Sequence, residues 1–395
     1  MTIETVGTAA DLDALCTRVR SSERVALDTE FHTERSYSPR LMVVQLAFDD
    51  GAAIVDPLAL PDLRPLLDAL ANTTVVGHAL SSDLKIFADR YGAVPARVFD
   101  TQVAASFLGY GMQISLADLV RDLERVRLAK SQTVSDWSSR PLSPKQIDYL
   151  VDDVVHLLPM HDKLVARLES AGRLSWALEE NAALGDFERY RGDERRAYLR
   201  IPGATRMSRR ELGVLSEVVK LRERIARERD LPLKYILADD VVAGLATLRP
   251  KRAEELEQLR RLDAGIRRQL GAAILEAVAR GEAIPEAELP ERPARPLGQN
   301  RDTVASVMGV LVGEIARLND LPPSLIVPRH ALERVARELP ASLEALEAAL
   351  ELSHWRFALV GEPLWRLLSG ELVVKIEGYA HGDPKIRLSH ESARE

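Results

Sequence analysis

The chain predicts a mixed α/β sheet domain followed by two all-helical bundles, and three observations carry that reading. Over the first 170 residues, β-rich runs come first as a hairpin and then alternate with helical spacing, the order of a mixed rather than a purely parallel sheet. Beyond Arg200 no strand signal returns until Leu372–Ile376. Within that helical half, Ile225-Ala226-Arg227 and Asp230-Leu231-Pro232 recur 90 residues later as Ile315-Ala316-Arg317 and Asp320-Leu321-Pro322. The same offset lays Ile236 on Ile326, Pro250 on Pro340, Glu254 on Glu344 and Leu256 on Leu346. A gap-free match of this kind marks two copies of one small bundle.

Taken in order, Arg24–Asp28 is a short β-rich run and Leu41–Phe48 a longer one. The Asp49-Asp50-Gly51 turn then makes Ala52–Val55 its hairpin partner. Leu63–Leu70 has helical spacing, Thr73–Gly77 is β-branched and closed by glycine, Leu80–Tyr91 is helical again, and Arg97–Thr101 reads as a further strand. Ser81 or Ser82 is the candidate cap of the Leu80–Tyr91 helix. Ser143, Pro144 and Gln146 form an N-cap, a first-position proline and a capping-box partner. They open a helix over 144–169, with Ile147, Leu150, Val151, Val154, Leu157 and Leu158 on its apolar side and Pro159 bending or interrupting it. Pro285, Pro290, Pro293 and Pro296 in a Glu/Arg-rich stretch predict a semi-extended linker. The predicted divisions are 1–172 for the sheet domain, 173–205 for a connection, 206–284 for the first bundle, 285–299 for the linker, 300–378 for the second bundle and 379–395 for a tail.

At 395 residues the chain is long enough for two or three domains. A lone cysteine, Cys16, excludes a disulfide framework and a Cys-rich zinc site. Met1-Thr2-Ile3-Glu4 lacks a basic-then-apolar signal pattern, and apolar runs such as Leu41–Val44 fall far short of the ~20 residues that span a bilayer. The sequence therefore predicts a soluble, cytoplasmic protein with no membrane partner and no obligatory protein partner. A net charge of −7 argues against a surface coated with basic groups, yet residues 191–230 hold twelve Lys/Arg against seven Asp/Glu. That stretch reads either as a solvated helix face laced with ion pairs or as a local phosphate-facing surface.

Acidic residues supply the candidate chemistry. Asp28-Thr29-Glu30 ends the first predicted strand, and residues two apart in a strand point to one side, so both carboxylates reach one point. Such paired oxygens suit Mg²⁺ or Mn²⁺, although a polar strand end would look the same. Asp83 lies in the first turn of a helix, where complementing the dipole would be role enough. Tyr149 and Asp153 lie four apart on one helix face, whereas Asp152 is turned about 100° away. Together they bring four carboxylates and a tyrosine from three segments of one sheet domain. A pair of metal ions held by such acids can activate water and stabilise a leaving phosphodiester oxygen, and a nearby phenol can orient that water.

These segments resemble a known superfamily. Val25-Ala26-Leu27-Asp28-Thr29-Glu30-Phe31 is similar to the first motif of the DEDD exonucleases, Gly77-His78-Ala79-Leu80-Ser81-Ser82-Asp83-Leu84 to the second, and Tyr149-Leu150-Val151-Asp152-Asp153 to the third in its tyrosine form. Asp136-Trp137, Arg140-Pro141-Leu142, Asp56-Pro57 and Asp100-Thr101 also fall where the ribonuclease D branch has them, and the two bundles resemble HRDC (helicase and RNase D C-terminal) domains. The resemblance implies a ribonuclease H-like exonuclease domain using two divalent ions, Mg²⁺ or Mn²⁺. It implies that Asp28, Glu30 and Asp153 hold one ion, that Asp28 is shared with a second supported by Asp83, and that Tyr149 orients the nucleophile. The implied activity is 3′→5′ removal of nucleoside 5′-monophosphates from RNA with a free 3′ end, tRNA precursors among them. A DNA exonuclease acting on single strands and an inactive nucleic-acid-binding scaffold are the alternatives. Phe31 and His78 adjoin the acids as terminal-nucleotide contacts or packing residues, while His156 and His161 read as structural. Arg206, Arg209, Arg210, Lys220 and Arg224 are the candidate phosphate contacts in the first bundle. The second bundle departs from the HRDC pattern at Pro322-Pro323 and Trp355–Trp365, which predicts that it packs on the nuclease domain instead.

Overall fold

The computed structural model describes residues 2–33, 36–128, 136–192, 194–292, 297–378 and 385–390. It opens with a strand and helix that have no counterpart in the sequence expectation, β1 (Thr2–Val6) and α1 (Ala9–Ser21). Only Val6 of β1 is buried, so the strand carries little apolar signal. The helix is started by a Thr8–Asp11 capping box and buries Leu12, Leu15, Cys16 and Val19.

There follow β2 (Arg24–His32), β3 (Arg40–Phe48), β4 (Gly51–Val55), α2 (Arg64–Leu70), β5 (Thr74–Gly77), α3 (Ser81–Tyr91), β6 (Val98–Asp100), α4 (Thr101–Ser106) and α5 (Leu116–Glu124). The six strands lie in the order β1-β4-β3-β2-β5-β6. β3 runs antiparallel to both β2 and β4, while the β1–β4, β2–β5 and β5–β6 pairs are parallel, so the sheet is mixed. Side chains alternate between its faces. Ala26, Val43, Ala47 and Val76 enter one apolar layer; Val25, Leu27, Val44, Leu46 and Val75 enter the other, against α1 and α2.

The helix predicted over 144–169 is two helices, α6 (Pro144–Val155) and α7 (Leu157–Ser170). The break falls at His156, three residues before the proline credited with it. An unbroken helix would drive the Pro159 ring into the carbonyl of Val155, whereas in the first turn of α7 a missing N–H costs nothing. The capping box of Ser143 and Gln146 forms as expected.

After α8 (Leu174–Ala182) and a run of short 3₁₀ turns come α9 (Arg209–Arg229), α10 (Leu233–Ile236), α11 (Asp239–Leu248) and α12 (Ala264–Ala283). The second bundle contains α13 (Gln299–Leu318), α14 (Pro323–Ile326), α15 (Arg329–Glu338), α16 (Leu343–Leu350) and α17 (His354–Leu368). Four helices of the first bundle start 90 residues before their counterparts, at 209, 233, 239 and 264 against 299, 323, 329 and 354. The repeat extends to the backbone, since Asp230, which caps α9, and Asp320, two residues past the end of α13, stand at φ of 48° and 50°. A strand β7 (Leu372–Glu377) pairs antiparallel with β8 (Lys385–His390), so part of the expected tail is a strand. In the linker Pro285 precedes a 3₁₀ turn, while Pro293 and Pro296 lie outside the described residues.

The two bundles meet the sheet domain differently. The first has its own core, built on Leu212, Leu215, Val218 and Val242, and touches the β2–β3 loop through Tyr37. The Tyr37 hydroxyl donates to Glu223 at 2.6 Å, and the Arg227 guanidinium lies 5.5 Å over its ring. The second bundle shares one continuous core with α4–α8. Trp355 stacks on Trp176 at 5.0 Å and meets the edge of Phe107 at 5.3 Å, and Arg356 pairs with Glu180 at 2.6 Å. Of the residues that depart from the HRDC pattern, Trp355 is thus the one that docks this bundle.

Candidate active site

Because β2 and β5 are parallel, their C-terminal ends open at the same edge of the sheet. Asp28 and Glu30 sit at that end of β2, on the face covered by α6. The capping box fixes where α6 begins, and its second and third turns bring Tyr149 and Asp153 over the acids. One carboxylate oxygen each of Asp28, Glu30 and Asp153 lies within 4.8 Å of the others. Asp152 is absent from that group, as its position around the helix predicts.

Asp83 reaches the site by another route. It is only 5% exposed, and Thr29, on the opposite face of β2 from its two acidic neighbours, donates its hydroxyl to the Asp83 carboxylate. Asp83 is not among the three close oxygens. Neither Ser81 nor Ser82 caps α3: Leu80 is the cap residue and supplies no side-chain hydrogen bond. Asp100 at the end of β6 does that work from a distance. Its carboxylate accepts from the backbone N–H of Ala79 at 3.0 Å and of Leu80 at 2.8 Å, as well as from Gln102. Ala79 stands at φ 58°, a left-handed conformation that costs a non-glycine residue about 1–2 kcal/mol, so these bonds hold a strained turn. Asn181 of α8 accepts in turn from the Asp100 N–H. Asp100 and Asn181 were not singled out as site residues by pattern, because support of this kind depends on three segments meeting in space.

Four acids this close repel one another. Burial, then the charges of Asp83, Asp153 and Glu30, hold Asp28 well above the ordinary carboxylate range. Burial, then the Asp153 and Asp83 charges, lift Glu30 to about 7. Burial lifts Asp83 to about 7 against the opposing Thr29 hydrogen bond, and Asp153 to about 6 against that of Tyr149. The Tyr149 phenol is pushed up by burial and by the Asp153 charge, so it stays protonated and donates to that carboxylate. None of the four acids forms an ion pair with Lys, Arg or His among the described residues. Hard oxygen donors, mutually repelling and without a cation of their own, fit a divalent ion of the Mg²⁺ or Mn²⁺ type.

The stability of the metal-free protein should record this repulsion. Each acid has a folded pKa raised above its unfolded value near 4, so the folded state holds more protons and the associated stability is lost as pH climbs through about 6 to 7. Acids held low by partners, such as Asp162 at about 2, act only below that window. Without divalent ions the melting temperature should therefore fall between pH 5 and pH 8, and Mg²⁺ should remove most of the slope. A flat profile in both conditions would contradict this electrostatic account.

The remaining sequence candidates divide. His78 has both ring nitrogens engaged, by Thr101 Oγ1 at 2.9 Å and the Ile114 carbonyl at 3.0 Å, which makes it a strut. Phe31 is partly exposed and packs on the α1–α2 side of the sheet. Arg209 and Arg210 depart from the expected phosphate role. Arg209 donates to the Leu289 carbonyl at 2.9 Å, and Arg210 to those of Glu282 and Ile284 at 2.7 and 2.6 Å, because the chain leaving α12 presents bare carbonyls there. Lys220 and Arg224 are in exposed ion pairs with Glu217 and Glu228, and Arg206 is exposed. His161 bonds Asp162 and Arg24, a structural role.

A mixed sheet whose central strand carries clustered acids, faced by a helix-borne tyrosine and aspartate, defines an α/β nuclease of the metal-assisted exonuclease class. Comparison with known proteins agrees: residues 3–169 match the family described as 3′-5′ exonuclease, and residues 211–278 and 310–368 match the HRDC domain. The ribonuclease D of Acidiphilium cryptum is 37% identical over 94% of this chain and 95% of its own length. That of Granulibacter bethesdensis is 36% identical over 93% of each. The crystal structure of Escherichia coli RNase D superimposes with a TM-score of 0.83 at 29% identity, covering 93% of this chain and 99% of that one. The chain belongs to the ribonuclease D family of 3′–5′ exoribonucleases.

Proposed function

We propose that this protein trims the 3′ ends of structured RNA, tRNA precursors among them, in the cytoplasm, releasing nucleoside 5′-monophosphates. The observation that carries this reading is the close grouping of Asp28, Glu30 and Asp153 beside Tyr149 and the buried Asp83. The E. coli relative is an exoribonuclease involved in structured RNA processing, which supports the substrate class. Among the described residues no helix is long and apolar enough to cross a membrane.

In this reading Asp28, Glu30 and Asp153 are the donors for one divalent ion, Mg²⁺ or Mn²⁺. Asp28 would also serve a second ion, with Asp83 as its further support. Two such ions when bound supply a lowered water pKa and charge neutralisation at the leaving oxygen. Tyr149 holds the attacking water by its hydroxyl; being protonated, it orients that water and does not take its proton. Phe31 offers its partly exposed ring to the terminal nucleotide. Arg206, Lys220 and Arg224 face the phosphates, since a surface ion pair is worth only about 0–1 kcal/mol and a phosphate readily replaces the carboxylate.

The test is a time course with 5′-labelled single-stranded RNA and DNA of equal sequence, in Mg²⁺, Mn²⁺ or chelator. A ladder shortening from the 3′ end on RNA, absent in chelator, is the expected result. Equal ladders on both strands would favour a DNA exonuclease of the same fold, and a mobility shift without cleavage an inactive scaffold. Tyr149→Phe is expected to lower turnover about 10²-fold, the cost of a misplaced reactant, while leaving Mn²⁺ binding by calorimetry unchanged. Equal loss of both would make Tyr149 a structural prop.

A further inference from the structure

We infer that Gln45 is a positioning residue for the candidate metal site, and that it fixes the Asp28 carboxylate through a buried amide hydrogen bond. This inference rests on the reading of Asp28, Glu30 and Asp153 as metal donors. Gln45 lies in β3 directly across from Asp28 in the β2–β3 ladder, so the two side chains share one face of the sheet. It interrupts the otherwise apolar run Leu41-Met42-Val43-Val44 and Leu46-Ala47-Phe48 and is 0% exposed.

An amide in such a place is costly. Burying a polar group without partners is unfavourable, and Gln45 satisfies only one end of its amide. Its Nε2 donates to Asp28 Oδ2 at 2.7 Å, while its Oε1 finds no hydrogen-bond partner among the described residues. A methionine or leucine would fill the same space in β3 without the orphaned oxygen. The unfavourable half of the amide is therefore tied to what the other half does at Asp28.

What it does follows from the direction of the bond. The flipped amide would set Oε1 against a carboxylate oxygen, acceptor to acceptor, so Asp28 dictates that the NH₂ faces it. One oxygen of Asp28 is thereby pinned from β3, a strand paired on both sides, and the plane of its carboxylate is set. The same device recurs around the site. Thr29 holds Asp83 by a hydroxyl, and Tyr149 holds Asp153 by a phenol. All three holders are neutral donors. They orient an acid without cancelling the charge that a cation would be drawn to, which an arginine or lysine would do.

The experiment uses the full chain with Gln45→Met and Gln45→Leu. Calorimetric Mn²⁺ affinity, kcat and KM on labelled RNA, and the melting temperature in chelator are measured for each. Loss of a partner that orients a ligand typically weakens metal affinity 10–100-fold, so Mn²⁺ binding should weaken by at least about tenfold. The fall in activity should lie in kcat, with KM for RNA little changed, and the melting temperature in chelator should be equal to or above that of the wild type. Wild-type Mn²⁺ affinity in both variants would overturn the inference. So would a lower melting temperature in chelator for both, because Gln45 would then be holding the sheet. Asp28→Asn is the control that separates the two readings: if it too binds Mn²⁺ as the wild type does, the site assignment fails and not the role of Gln45 alone.

Discussion

Asp28→Asn is expected to abolish exonucleolytic turnover while leaving the protein folded and, without metal, more stable than the wild type near pH 8. Asp28 lies between its neighbours: the charges of Asp83, Asp153 and Glu30 all push on it. Asparagine keeps the shape and still accepts the Gln45 amide through its side-chain oxygen, so the sheet loses no hydrogen bond. It removes the charge at the centre of the repulsion, which is why stability should rise. Activity should fall for the same reason. If the ions supply several kcal/mol of transition-state stabilisation, a loss of about 4 kcal/mol corresponds to a drop on the order of 10³-fold. The check is a quantitative ladder assay beside thermal melts in chelator. Residual activity within tenfold of the wild type would remove Asp28 from the site, and a lower melting temperature in chelator would show that its charge has a compensating partner.

The candidate site was legible in the sequence to the extent that its parts are local. Asp28 and Glu30 share a face because a strand alternates, and Tyr149 and Asp153 share one because a helix turns; both periodicities can be counted along the chain. The repeat was legible for a similar reason, since an offset of 90 residues needs no knowledge of packing. What escaped depends on segments far apart in sequence. Asp100 holds the strained Ala79 turn from 21 residues away, and Asn181 reaches Asp100 across 81. Gln45 reads as a blemish in an apolar strand until the ladder sets it opposite Asp28. Arg209 and Arg210 have partners that the pattern did not show. Their charge suggests phosphate, but the end of α12 offers unpaired carbonyls that two guanidinium groups can satisfy. The strand β1 was missed because an edge strand with one buried side chain has almost no hydrophobic period to read.

Trp355→Ala should be among the most destabilising single changes in the chain, and its effect should reach the active-site sheet. Trp355 is 3% exposed, stacked on Trp176 of α8 in the connection and set against the edge of Phe107 in the nuclease domain. Removing a buried tryptophan costs roughly 3–5 kcal/mol, because the cavity adds to the lost transfer energy. That cost falls on a shared core: Ala26, Val43 and Leu150 of the nuclease domain and Met308, Leu332 and Trp355 of the second bundle belong to one continuous apolar cluster. Two bodies joined by one core should unfold as one unit. The first bundle has its own core and meets the nuclease domain chiefly through Tyr37, so α9 should keep its protection. Hydrogen exchange by segment reads this directly. In Trp355→Ala, exchange should accelerate together in β3, α6, α13 and α17, while α9 and α12 change little. If α13 and α17 exchange freely while β3 and α6 keep wild-type protection, the second bundle is an independent domain resting on the nuclease surface. The expected coupling would make the repeat asymmetric in physical terms: two copies of one bundle, one with a core of its own, the other built by Trp355 into the scaffold that holds the acids in place.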